Sequence, residues 1–139
     1  MVYKSFIESF LSPGAFSIDW ANDTIKVALA DENFIFNPDN QYFSDVISYE
    51  ITGTGYTQGG EELTNKTVTV TNTKATFDAD DVVWSNSTVT ARYGIIYKDT
   101  GNDSTSPLVA VVDKGSAFTT VNTSFSVRFS TQGILIINF

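Results

Sequence analysis

From residue 24 onward the apolar residues of this 139-residue chain recur mostly at intervals of two, the signature of strands with one face buried and the other solvated. Thr24 to Leu29 sets Ile25, Val27 and Leu29 on one face, with Thr24 and Lys26 on the other. Lys66 to Thr71 repeats the pattern, with Val68 and Val70 opposite an all-Thr outer face. Lys74 to Asp78 follows after Asn72-Thr73, at a spacing that predicts a hairpin. Thr88 to Tyr97 is the longest candidate strand, with Val89, Ala91, Tyr93, Ile95 and Tyr97 facing one way, and is expected to be central. Leu108 to Val112, bounded by Pro107 and Asp113-Lys114-Gly115, reads as a strand buried on much of both faces. Ser124 to Ser130 and Gly133 to Phe139 are the last two strands, with Gln132-Gly133 as the expected hairpin turn between them.

Helical spacing is confined to residues 2 to 11, where Val2, Phe6 and Phe10 recur every four residues beside Ile7 and Leu11. Ser12-Pro13-Gly14 is expected to end that helix, because proline disfavours the helical conformation of the residue before it. The fold class expected is therefore mainly all-β: an antiparallel β-sandwich or open barrel with a short N-terminal helix. Residues 1–139 are expected to form one sandwich domain, with 1–14 as a helix or arm. Parallel α/β architecture is disfavoured, since no crossover helices separate the strands. Residues 30 to 45 and 52 to 65 are long polar connections, a kind often tied to function. Within them, Tyr42 to Ile47 is expected to form a helical turn. Gly53 to Gly60, with four glycines, is expected to take positive φ around Tyr56, which anchors the loop.

The sequence has no His and no Cys, which removes Ser-His-Asp and Cys-His catalysis and metal sites built from nitrogen and sulfur. A chain of this length buries roughly 68% of its unfolded surface and needs no disulfide. The net charge of -8 argues against a nucleic-acid partner, which requires a basic face. No apolar run is long enough for a membrane helix, and Glu8 with the scattered serines interrupts any export-signal core, so neither membrane nor export is expected. Five Asn-x-Ser/Thr sequons, at Asn22, Asn65, Asn86, Asn102 and Asn122, are then read as by-products of a Thr-, Ser- and Asn-rich composition.

Three groups of residues carry possible chemistry. Asp78, Asp80 and Asp81 bring three carboxylates to one turn, where Ca²⁺ oxygen ligands can converge, against the plainer reading of an acidic turn bonded to its own backbone. The loop from Asp99 to Ser104 echoes the oxygen spacing of a Ca²⁺ loop but lacks its glycine and glutamate. Trp20, Tyr42, Tyr56 and Trp84 offer aromatic faces for a sugar, against the commoner fate of core and loop anchors. No spacing singles out a carboxylate pair for glycoside hydrolysis. No cofactor and no enzymatic activity are expected.

Taken in order, Asn22 to Leu29, Phe43-Ser44-Asp45-Val46, Gly53 to Gly60, Phe77 to Trp84 and Ala91 to Gly101 give the chain a resemblance that spans nearly its whole length. It resembles the small virion structural proteins of tailed bacteriophages, head-associated or tail-associated. The resemblance implies a β-rich, non-enzymatic protein assembled on a particle in the host cytoplasm, and it supplies no catalytic or binding residue. The role expected first is a head decoration, or cement, protein that binds the major capsid protein or another virion protein and is itself a homo-oligomer. A tail, neck or fibre component and a host-glycan-binding module are the alternatives. In such a role the first segment (Val2, Tyr3, Phe6, Phe10) is a candidate gripping arm or a helix covering one end of the sandwich. The long loops (Phe34, Phe36, Tyr42, Tyr56) are a second candidate contact surface.

Overall fold

A computed structural model describes residues 1–11, 14 and 16–139, and the expected helix stop at Ser12 and Pro13 lies outside them. Among the described residues one α-helix, α1 (Lys4–Leu11), precedes nine strands: β1 (Ile25–Ala30), β2 (Glu61–Glu62), β3 (Thr67–Val70), β4 (Lys74–Asp78), β5 (Val82–Ser87), β6 (Thr90–Lys98), β7 (Leu108–Thr119), β8 (Thr123–Val127) and β9 (Leu135–Asn138). They form three antiparallel sheets in the orders β2-β1-β6-β7, β3-β4-β9 and β5-β8, an all-β, sandwich-like architecture.

The four-stranded sheet is covered on both faces. On one face Ile25, Val27, Leu29, Ala91, Ile96 and Val109 meet side chains from the two smaller sheets, among them Phe77, Trp84, Phe125 and Val127. On the other face Ala28, Ala30, Ile95, Tyr97, Leu108 and Val111 are covered by Phe34, Phe43 and Val46. This second layer comes from the first of the long polar connections and its continuation to Tyr49. It holds two short 3-10 turns, Phe43–Asp45 and Ile47–Tyr49, in place of the expected single helical turn. The Asp45 carboxylate accepts hydrogen bonds from the Gln41 (2.9 Å) and Tyr42 (3.0 Å) amides, and Phe43 stacks on Tyr97 with ring centroids 4.1 Å apart. A strand with alanines between its branched residues has two apolar faces, so the second face needs a cover, and these aromatic side chains supply it.

Four expectations are corrected. The one-sided face of β6 is broken at Arg92: Thr90 and Ala91 pair with Thr119 and Phe118, but Tyr93 pairs with Asp113, leaving Arg92 opposite Lys114 to Ala117. The irregularity reverses the parity of the strand, so Val89 and Ala91 join the first cluster while Tyr93, Ile95 and Tyr97 face the second. Strand β7 does not stop at Asp113-Lys114-Gly115 but runs on to Thr119, with Gly115 at φ 91° inside the bulged stretch. The last two strands do not form a hairpin, because β8 pairs with β5 and β9 crosses to β4. Finally, β2 and β5 lie where no strand was expected: β2 falls inside the second long connection, and β5 directly follows the turn that carries Asp78, Asp80 and Asp81.

Candidate functional site: an apolar groove beside the N-terminal helix

The first segment is not a free arm. Tyr3 donates its amide to the Val109 carbonyl (3.0 Å), Val111 donates to the Met1 carbonyl (2.8 Å), and Val2 bridges to Ala110, so the chain pairs with the outer edge of β7. It straddles that edge: Val2 and Phe6 pack into the first cluster and Tyr3 into the second. The Ser5 hydroxyl, itself buried, donates to the Leu108 carbonyl at 2.8 Å. Helix α1 then lies over the inner face of the β3-β4-β9 sheet, where Phe77 is ringed by Phe6, Phe10 and Trp20 at centroid distances of 5.4, 5.8 and 6.0 Å.

The helix covers that face incompletely. A groove of about 360 Å³ remains between Ile7 and Phe10 on one side and Ala75, Phe77, Ile137 and Phe139 on the other. A shallower concavity of about 460 Å³ lies beyond Ile7, against Val2, Leu135 and Ile136. Val68 and Val70 are cross-strand partners of Phe77 and Ala75 and share their face, yet they lie outside the core, 43% and 65% exposed. With Phe10 and Phe139 also at the surface, they extend the groove into an apolar patch. Its charge is as notable as its hydropathy. Across α1, β3, β4 and β9 the charged residues are Lys4, Glu8, Lys74 and Asp78, two of each sign, so these elements are neutral in a chain of net charge -8.

Of the contact residues expected from the sequence, Tyr3, Phe6 and Phe34 are core side chains and do not reach the surface. Phe36 is half-buried with its ring 4.9 Å from Tyr3, Tyr42 is half-buried 5.6 Å from Phe16, and Tyr56 is half-buried in the loop it anchors. Only Phe10 and half-buried Val2 belong to the apolar patch, whereas Phe34 and Phe36 sit in the layer on the far side of the large sheet and Tyr42 bridges to Pro107. The residues missed are Ile7, Val68, Val70, Ile136, Ile137 and Phe139. The available signal was Ile134-Leu135-Ile136-Ile137, a run too continuously apolar for a strand with one wet face.

The other candidates are dispersed. Trp20 and Trp84 are buried, so they form no surface platform for a sugar. The acidic turn is held by protein donors, only one of them local: Asp78 accepts from the adjacent Ala79 amide, whereas Asp80 accepts from the Asn65 side chain and Asp81 from the distant Phe129 amide, each at 2.9 Å or less. Among the described residues no group of three or more metal-ligating side chains comes together. Asn65, Asn86 and Asn122 have positive φ near 50°, Asn86 at the irregularity within β5, a conformation asparagine tolerates better than most residues, which gives three of the five sequons a backbone reason.

Two larger polar concavities lie elsewhere on the described surface. Asp31, Glu50 and several threonines line one of about 470 Å³. There a Glu50 oxygen accepts hydrogen bonds from the Tyr56 hydroxyl (2.6 Å) and the Gly59 amide, and the Tyr56 oxygen accepts from the Leu29 amide (3.0 Å). Burial raises the Glu50 carboxyl above the usual glutamate range, and those two donors oppose the shift. Lys114, Phe118, Ser124, Ser126 and Arg128 line the second, about 300 Å³ in volume, where Lys114 donates to the Ser126 carbonyl at 2.7 Å. No family model, curated protein or solved structure matches the chain.

Proposed function

We propose that the protein acts by binding rather than by catalysis, as a structural component of a tailed-bacteriophage particle, and in the first place as a decoration protein on the head. The observation that carries the reading is the neutral apolar patch between α1 and the β3-β4-β9 sheet, set on a molecule whose net charge is -8. A decoration protein needs a rigid body, a soluble exterior and a limited adhesive face. The doubly covered sheet supports the first and the acidic surface the second. The patch supplies the third, with Ile7, Phe10 and Phe139 as its exposed anchors.

Apolar surface contributes roughly 25 cal/mol per Å² removed from water, while association costs at least about 4 kcal/mol in lost rotational and translational freedom. A patch of this size therefore gives a modest single contact. Many copies on a repeating shell convert modest contacts into firm attachment. Anything that binds the assembled shell in preference to its dissociated subunits stabilises the shell by mass action.

Quantitative mass spectrometry of purified particles tests the reading. Hundreds of copies per particle are expected, together with DNA release at lower temperature from particles lacking the protein and weakened binding of Phe10→Asp. A few to a few dozen copies would move the assignment to tail, neck or fibre, and absence from particles would overturn it.

A further inference from the structure

The hydrogen-bonding edges of the sheets are unequally protected. Strand β2 is two residues long and both are glutamates. The first half of β7 is paired with residues 1 to 3. Lys114 reaches the Ser126 carbonyl of β8, while the flank of β9 opens into the concavity shared with Val2, Lys4 and Ile7. Strand β3 ends its sheet with no such device: from Thr67 to Thr73 there is no charge and no proline, and its register against β4 is regular.

The register fixes which groups are free. Thr71 donates to the Lys74 carbonyl at 2.8 Å at the hairpin, so Thr71, Thr69 and Thr67 turn their amides and carbonyls toward β4. Val68 and Val70 turn theirs outward. The side chains of those two valines are exposed on the apolar face, while Thr67 and Thr69 point to the other face.

We propose that β3 pairs with β3 of a second copy, antiparallel across a two-fold axis through Thr69. Val68 then lies opposite Val70 of the other copy, and the reciprocal pair completes four backbone hydrogen bonds from groups that are otherwise open. An axis perpendicular to the sheet keeps the two apolar faces on the same side, so four valines form one cluster flanked by the two α1 helices. The three-stranded sheet becomes the half of a continuous six-stranded one. Charge favours a second copy at this edge over any other part of the surface: molecules of net charge -8 repel one another, but β3 itself is uncharged and the elements around it sum to zero, so two copies meet here with no net repulsion from these elements. A basic partner would gain nothing at a neutral face. The inference stands independently of the phage reading.

Sedimentation of the full chain over a wide concentration range tests it. A concentration-dependent dimer is expected from the parent protein. Val68→Pro removes an outward amide without touching the β4 ladder, and Val70→Lys places a charge in the valine cluster. Both are expected to be monomeric with cooperative melting, whereas Val83→Lys, at an exposed strand valine far from β3 in the sheet order, remains dimeric. Hydrogen exchange of the parent protein needs no variant: the Val68 and Val70 amides should become protected as concentration rises. A parent protein monomeric throughout, a dimer indifferent to both β3 variants, or Val68 and Val70 amides that exchange freely in the dimer would overturn the proposal.

Discussion

At the scale of single residues, Glu50 is the group whose environment departs most usefully from the ordinary. Burial raises its carboxyl above 4.5, so between pH 4.5 and that raised value the native state binds more proton than the unfolded chain. Its contribution to stability is greatest below pH 4.5 and is lost as pH rises through the raised value. Asp99 works in the opposite sense: the Lys26 ammonium 2.7 Å away holds it below 3.8, and the stability it adds disappears as pH falls through that lower value. Glu50→Gln keeps an acceptor for Tyr56 and Gly59 and removes the ionisation. The melting temperature of E50Q should therefore fall less than that of the parent between pH 4.5 and neutrality, and equal slopes would show that Glu50 does not titrate in that window. The loop around it was legible in outline, since four glycines near one tyrosine require irregular backbone. Gly60 shows how strictly: at φ 78°, a Cβ there would lie 1.9 Å from the Val27 carbonyl oxygen. Glu50 itself was not legible, because its burial depends on a loop returning from six and nine residues further on.

At the scale of elements, the first eleven residues show what a periodicity determines and what it leaves open. The four-residue spacing of Val2, Phe6 and Phe10 predicts a helix, and α1 is there, but spacing does not say whether Tyr3 is a core residue or part of an arm. The structure buries Tyr3 completely, so Tyr3→Ala should cost about 3–5 kcal/mol, the penalty for deleting a large buried ring. Phe10→Ala, at a residue 46% exposed, should cost no more than about 1 kcal/mol. Equal, small effects in denaturant titrations would return the segment to the status of an arm. Strand β6 teaches a related lesson. Its alternation was visible, but the bulge at Arg92 depends on four residues of β7 that lie more than twenty positions away in sequence. The failed hairpin between β8 and β9 has the same origin: Gln132-Gly133 forms a turn, and which strand each flank pairs with is decided by the sheets already assembled.

At the scale of the whole molecule, the excess of eight negative charges makes compaction electrostatically unfavourable, and salt should relieve it. Raising ionic strength from about 0.01 to about 0.15 M shortens the Debye length from about 30 to about 8 Å. The melting temperature should rise by a few degrees, corresponding to roughly 1 kcal/mol for a domain of this size. A fall would mean that the ion pairs Lys26–Asp99 and Lys98–Asp23, both largely shielded from solvent, outweigh the general repulsion. The all-β class, the short leading helix and most of the strands follow from local pattern, because each is written in the spacing of neighbouring side chains along a few residues. Tertiary structure alone decided that the large sheet is covered on both faces, that Tyr3, Phe6 and Phe34 belong to the core, and that Val68 and Val70 stand outside it. Alternation says which side chains share a face, but only the placement of distant segments says whether anything lies against that face.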